Sequence, residues 1–513
     1  MKTSGAAWWR DAVVYQIYPR SFLDTDGDGI GDLEGIRRNL EYLAWLGVDA
    51  IWLSPIFPSP MADFGYDVSN YCDVDLVFGD LASFDRLLDE AHQRGIRVML
   101  DWVANHTSDR HPWFEESRSS PESPRRDWYI WRDGKAGKPP NNWKSAFGGP
   151  AWTYDEATEQ WYLHIFLPEQ PDLNWQNPDV AAAMHETLRF WMDRGVDGFR
   201  ADVVHLIGKD PELPDRPEHL AHRHPVSDHD DPRTHPLLRS IRTVLDSYDG
   251  DRAMVGEVNL RSAVSLRPYY GQADELHMVF NFSLLFAKWD PSRWRELIAD
   301  AEAAFAAPHA WPVWVLSNHD RPRQRTRYGG SEDRARVAAL VLLTLRGTPF
   351  LYAGEELGLE DAAVAESELR DPGLRDGCRA PIPWSGAPGH GWPAEPWLPW
   401  PPDADSRNIA ALRDDEGSIL HLYRRLLGAR RRSIALRNGT WELLEGPPEV
   451  LAYERSEHGE RRRVVANFGE APVAFGSRSE WVVEVGTRAA LDEMTWDGAL
   501  RPGEAVLLRP VDE

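Results

Sequence analysis

"GFRADVVH", residues 198–205, reads as a strand that ends in chemistry. Side chains alternate across a strand, so Arg200 and Asp202 share one side while Phe199 and Ala201 take the other. A cation two residues before a carboxylate favours its ionised form, which suits a nucleophile.

Seven further short, β-rich apolar runs accompany it: "VVYQIY" (13–18), "AIWLS" (50–54), "IRVMLDWV" (96–103), "AMVGEV" (253–258), "MVFNF" (278–282), "VWVLSN" (313–318) and "FLYAG" (350–354). Such runs suit parallel strands covered on both faces. Between them apolar residues recur at helical spacing, as in Ile36, Leu40, Leu43 and Leu46, or Met184, Leu188, Trp191 and Met192. Eight β-runs alternating with helices predict an α/β fold, a (β/α)8 TIM barrel.

Three regions break the alternation. Residues 105–178, rich in Trp, Pro, Gly and Asn, are long enough for a small domain inserted after strand three. Residues 209–236 are a polar, Pro- and His-laden insertion after strand four, expected to shape the outer part of the site. Residues 359–405 carry many Pro, Gly and Trp after strand eight. From residue 435 short alternating strands with turn signals predict a C-terminal β-sandwich, 435–513, which leaves 1–104 and 179–434 to the barrel.

The 513 residues carry 57 Lys and Arg against 82 Asp and Glu, a net charge of −25, which repels phosphate backbones and anionic lipid. Nucleic acid and membrane are therefore not expected partners. Two cysteines, Cys72 and Cys378, cannot form a zinc cluster or a disulfide framework, and they read as reduced thiols. The N-terminus lacks the apolar run of a secretory signal, and the longest apolar run, "VAALVLLTL" (337–345), is about half a membrane span. These features predict a cytoplasmic protein; its oligomeric state is not legible.

Active sites of such barrels lie at the carboxyl ends of the strands. Those ends supply Asp101, Asn105 and His106 in "DWVANH", Arg200 and Asp202 in "GFRADVVH", Glu257 in "GEV", and Asn318, His319 and Asp320 in "SNHD". Glu257 has no Arg or Lys beside it in sequence, so its pKa is free to rise and it suits an acid. Two carboxyls on adjacent strands, about 5–5.5 Å apart, are what a retaining glycosidase needs. Asp320 is a third carboxylate, placed to stabilise positive charge in an oxocarbenium-like transition state. Taken singly, His106 and His319 read as ordinary hydrogen-bonded histidines, and most of the 24 tryptophans as packing.

These four segments, in this order, resemble the signature regions of the α-amylase family of glycoside hydrolases, and "QPDLNW" (170–175) is similar to a fifth in its oligo-1,6-glucosidase branch. The resemblance implies that Asp202 is the nucleophile, Glu257 the acid/base and Asp320 the transition-state stabiliser. It implies that Asp101, His106, Arg200 and His319 serve the innermost sugar subsite. Asp67 of "FGYDVSNY" would hold the terminal glucose hydroxyls and Tyr66 would stack on its ring, with Arg379 of "GCRAPIPW" and Phe147 of "SAFGGPAW" near the same sugar. Val203, directly after the nucleophile, leans toward α-1,6 linkages, although "EVN" (257–259) departs from the pattern of that branch. The implied activity is release of α-glucose from the non-reducing end of short α-glucosides, with no organic cofactor. The alternatives are a glucosyl transferase or isomerase, trehalose synthase-like or sucrose-converting, and a non-catalytic binding subunit. The last typically lacks the carboxylates found here.

The stretch "DTDGDGIGDLEG" (24–35) begins like an EF-hand loop, with Asp24, Asp26, Asp28 and Asp32 at ligand positions, but Gly35 stands where a bidentate Glu belongs. A β-run precedes it, so it is not helix–loop–helix. In the branch it resembles, a similar loop holds one structural Ca2+ through side chains matching Asp24, Asp26, Asp28 and Asp32 and the carbonyl matching Ile30; Mg2+ would suit a smaller site.

Overall fold

Eight parallel strands pair side by side: β1 (Val14–Ile17), β2 (Ala50–Leu53), β3 (Arg97–Val103), β4 (Gly198–Asp202), β5 (Ala253–Gly256), β6 (Met278–Val279), β7 (Val313–Val315) and β8 (Thr348–Tyr352). The structure is a computed structural model that describes residues 7–217, 219, 229–476 and 480–511. The sheet runs β7-β8-β1-β2-β3-β4-β5-β6, and a parallel bridge between Asn281 and Trp314 joins its two edges. This is the expected (β/α)8 barrel. The sixth run forms only two strand residues, Met278 and Val279, before that bridge.

Period-two alternation sorts the side chains. Val14, Ala50, Trp52, Met99, Val255, Val313 and Phe350 fill the barrel interior. Tyr15, Ile51, Leu53, Val98 and Leu351 point outward into the main core shared with the helices. Helix starts follow local chemistry. Asp80 caps Leu81–Gln93 in a capping box with Ser83, and Asn177 caps Pro178–Asp193, whose first residue is a proline with no N–H to satisfy. The apolar run at 337–345 belongs to helix Glu332–Thr344, which is buried from Val337 to Thr344. No helix among the described residues is long and apolar enough to cross a membrane.

Within the segment after β3, three antiparallel strands, Trp131–Arg132, Gln160–Leu163 and Trp152–Asp155, form a small sheet. Bridges His106–Asp172 and Tyr129–Leu173 tie its exit to the end of β3. The insertion after β4 falls partly outside the described residues, at 218 and 220–228. Its first part leans on the inserted segment: Asn141 Nδ2 donates to the Leu213 carbonyl at 3.0 Å, and Trp143 Nε1 to that of Pro214 at 2.9 Å.

Among the described residues the C-terminal region is a five-stranded antiparallel sheet faced by a two-stranded ribbon, Val473–Ala474 and Ala499–Leu500, rather than two full sheets. Val465, Val483 and Val506 share a core with Leu500 of the ribbon. Tyr453, Val464 and Leu507, on the other face, join the main core. Both cysteines are unbridged.

Candidate active site

Strand register builds the centre of the site. Asp101 of β3 pairs with Arg200 of β4, and Ala201 pairs with Gly256 of β5, so Asp202 and Glu257 emerge side by side at the carboxyl end. The Glu257 N–H donates to the Ala201 carbonyl at 2.9 Å, which fixes that stagger. The buried Arg200 guanidinium then serves three carboxylates. Its Nη1 donates to Asp101 Oδ1 at 2.7 Å and Asp202 Oδ1 at 2.6 Å, and its Nη2 to Glu257 Oε2. Asp101 also accepts from Tyr66 Oη at 3.1 Å and Trp52 Nε1 at 3.2 Å.

Two electrostatic expectations change here. Burial pushes the Asp202 carboxyl well above its ordinary value, although Arg200 pulls the other way. Burial likewise pushes Asp101 up to about 6 against the pull of Arg200. One cation shared by three carboxylates offsets desolvation only in part: Arg200 does favour the ionised Asp202, as its place two residues earlier implies, but burial outweighs it. Glu257 is not free of a cation either: the arginine absent from its own strand reaches it from the neighbouring one.

Asp320 behaves oppositely. Burial opposes its charge, but His319, Arg375 and Arg379 hold it far below the carboxylate range. Burial drives His319 down to about 3, so at neutral pH the imidazole is uncharged and the two guanidiniums keep Asp320 ionised. His319 Nε2 lies 2.5 Å from Tyr66 Oη, its Nδ1 lies 2.7 Å from Gln16 Nε2, and the two rings stack at 5.4 Å. Burial also lowers His106 to about 4.

The cavity above these groups, about 340 Å³, is walled by Tyr66, His106, Phe147, Asp202, Val203, Glu257 and Asp320. Arg200, Asp101 and His319 lie beneath or behind that wall. Val203 adopts φ 34, ψ 39, a left-handed conformation unusual for a β-branched residue, at the turn that presents Asp202.

Two assignments are corrected. Asp67 does not face the cavity: its carboxylate accepts from Ser59 Oγ at 2.8 Å, Ala62 N at 2.9 Å and Asp63 N at 3.0 Å, closing the turn it sits behind. Asp63 takes the wall position instead. Arg379 does not reach the wall either, being 0 % exposed behind Asp320. Arg375 stands on the wall, 2.5 Å from Asp63 and 3.0 Å from Asp320, over the Phe147 ring. Sequence reading also missed Gln170, whose Nε2 donates to Asp63 at 3.1 Å, and Asn259, which donates to Glu257 Oε1 at 3.2 Å. Both sit inside quoted motifs, "QPDLNW" and "EVN", but nothing in their spacing marked them.

The acidic loop lies between β1 and helix Leu33–Arg38. Asp24, Asp26 and Asp28 each offer a carboxylate oxygen, all within 4.8 Å of one another. Such an all-oxygen donor set fits a hard cation. Asp32 is not in this group: its Oδ1 accepts from Gly35 N at 2.7 Å as the helix cap, and its Oδ2 from Thr25 N and Oγ1 at 2.8 Å. A Cβ at Gly35 would meet the Leu23 carbonyl oxygen at 2.1 Å, which is why glycine stands where an EF-hand has Glu.

A (β/α)8 barrel with carboxyls on adjacent strand ends, a third across the mouth and a walled cavity defines a glycoside hydrolase. The family described as Alpha amylase, catalytic domain, matches residues 16–439, and the chain belongs to it. A probable alpha-glucosidase of Rhizobium meliloti (strain 1021) is 44% identical over 496 residues, covering 90% of each chain. An oligo-1,6-glucosidase of Parageobacillus thermoglucosidasius is 39% identical over 524 residues, covering 91% of this chain and 92% of the other. The crystal structure of the alpha-glucosyl transfer enzyme XgtA superposes with TM-score 0.92 at 40% identity, covering 99% of this chain and 100% of that one.

Proposed function

We propose that the protein is an exo-acting retaining α-glucosidase on short α-glucosides. The observation that carries this reading is the placement of Asp202 and Glu257 on the two terminal nitrogens of one guanidinium, with Asp63 and Arg375 on the wall of the same cavity. Glu257 protonates the glycosidic oxygen as Asp202 attacks the anomeric carbon, giving a β-glucosyl enzyme. Glu257 then takes a proton from water as the water oxygen bonds to the anomeric carbon and the Asp202 carboxylate leaves, which releases α-glucose with its configuration retained. Asp320, ionised at neutral pH, faces the positive charge that develops on the sugar. Asp63 and Arg375 together present acceptor and donors to the hydroxyls of the terminal glucose, the role expected of Asp67 and Arg379.

A second reading, glucosyl transfer to a sugar hydroxyl, is favoured by the likeness to the transfer enzyme, and both outcomes share one covalent intermediate. Val203 on the wall supports α-1,6 linkages among the substrates. We infer that Asp24, Asp26 and Asp28 would hold Ca2+ with the Ile30 carbonyl, while Asp32, expected as a ligand, instead caps the helix and holds Thr25, and that the ion would brace the β1 loop outside the chemistry.

Asp202→Asn and Glu257→Gln should each lower nitrophenol release from a nitrophenyl α-glucoside by about 10³-fold or more. Near-full activity in either variant overturns the roles. Product analysis on maltose, isomaltose, sucrose and trehalose separates hydrolysis from transfer.

A further inference from the structure

Behind the cavity wall, two guanidiniums and two carboxylates alternate in a closed ring. Arg375 Nη1 lies 3.0 Å and Arg379 Nη2 3.3 Å from the same oxygen, Asp320 Oδ1. Asp371 Oδ1 closes the ring, 2.6 Å from Arg375 Nη2 and 3.1 Å from Arg379 Nη1. Only half of this ring faces the cavity. Asp320 and Arg375 are on its wall, whereas Arg379 and Asp371 are 0 % and 2 % exposed and are not.

Arg379 has a further grip on the same place. Its Nε donates to the His319 carbonyl at 2.9 Å, the peptide that leads into Asp320. It thus holds both the backbone that carries Asp320 and the carboxylate itself. Cys378 Sγ, 3.4 Å from the same carbonyl, reinforces the backbone contact. Arg375 holds the same Asp320 oxygen through Nη1 while its other nitrogens serve Asp63 and Asp371, so the grip on the His319 carbonyl is what Arg379 adds.

We propose that Arg379 is a positioning residue that fixes the orientation of the Asp320 carboxylate against the sugar while touching no substrate itself. The inference rests on the reading of Asp320 as the carboxylate that faces the reacting sugar. Buried hydrogen-bonded charges aimed at a fixed point act without reorganisation when the reaction occurs, and loosening one leg removes that advantage. The chain supplies this leg from the short helix Asp376–Arg379, so an element after β8 sets the side chain at the end of β7.

A double-mutant cycle tests it, with α-glucosyl fluoride as substrate because its leaving group needs no proton and keeps crippled variants measurable. Arg379→Met should lower kcat by about 100-fold with KM within about 3-fold. The same change in an Asp320→Asn background should cost less than about 3-fold further, since the two residues act as one unit. Arg379→Lys, which keeps the charge but not the fork that grips the His319 carbonyl and Asp320 together, should recover activity only in part, to about 10-fold below the parent, and it repeats the cycle if the Met variant does not fold. Equal losses in both backgrounds overturn the proposal, because Arg379 would then act independently of Asp320. Near-full activity of Asp320→Asn alone would instead overturn the reading of the site on which the proposal rests.

Discussion

Replacing Arg200 by Met isolates the electrostatic centre of the site. Asp101, Asp202 and Glu257 all contact this one guanidinium, and their side chains are only 0%, 9% and 10% exposed. A neighbouring arginine lowers a carboxylate pKa by about 1–3 units, and each unit is about 1.4 kcal/mol. Burial already raises Asp202, and Arg200 is the leading opposing influence. Its removal must raise Asp202 further. The acid limb of kcat/KM should therefore move up by about 1–3 pH units, and at a pH one unit below the new midpoint the rate should be about 10-fold below its plateau. Activity lost at low pH should return as pH rises.

Stability supplies a second readout with its own sign. Asp101 is raised to about 6 in the folded chain, so its contribution is fully present below about pH 4 and is lost as pH rises through about 6. Without Arg200 the charged carboxylates have no cation among them, and breaking a buried pair costs about 3–5 kcal/mol. Arg200→Met should melt increasingly below the parent as pH rises from about 4 to 8. The assays are nitrophenyl α-glucoside kinetics and thermal unfolding across that range. An acid limb that stays in place or moves down, in a variant that is folded, refutes the reasoning.

Two other perturbations probe features outside the charge cluster. A chelator should lower the melting temperature more than it changes the initial rate on a nitrophenyl glucoside, because the three-carboxylate loop stands apart from the cavity; immediate and complete loss of rate at unchanged melting temperature counts against a bracing role. Val203→Ala removes two methyl groups from the cavity wall and relieves a β-branched residue at φ 34; the ratio of kcat/KM on isomaltose to that on maltose should fall by about 10-fold, within the range expected of one or two methylenes, and an unchanged ratio removes Val203 from linkage choice.

What the sequence made legible is what strand periodicity and register dictate. Arg200 and Asp202 lie two apart on one strand and do share a side, and the adjacent strand does bring Glu257 beside them. The two misplaced residues lie in irregular segments, Asp67 on a loop and Arg379 at the end of one short helical turn, where no long period applies. Met61, Phe64 and Gly65 all take positive φ, and the chain folds back so that Asp67 caps the turn while Asp63, four residues earlier, lines the cavity. In "RDPGLRDGCR" (370–379), Leu374 also takes positive φ, and Arg375 rather than Arg379 meets Asp63. The same limit explains the missed cation on Glu257. Adjacency in sequence was a poor guide to electrostatics, because β4 and β5 are neighbours in space while Arg200 and Glu257 are separated by 57 positions along the chain.

The consequence reaches beyond numbering. Asp63 and Arg375 come from the β2 and β8 loops, Asp320 from β7, and Asp202 and Glu257 from β4 and β5. On the proposed roles, the half of the site that performs bond cleavage is therefore set by strand register. The half proposed to hold the far side of the sugar is set by how two irregular loops meet. Arg375, paired with Asp63, Asp371 and Asp320 at once, is where those loops are joined to the barrel. Loop sequence can thus alter the far wall of the cavity without disturbing the strand-borne carboxyls proposed to cleave the glucoside.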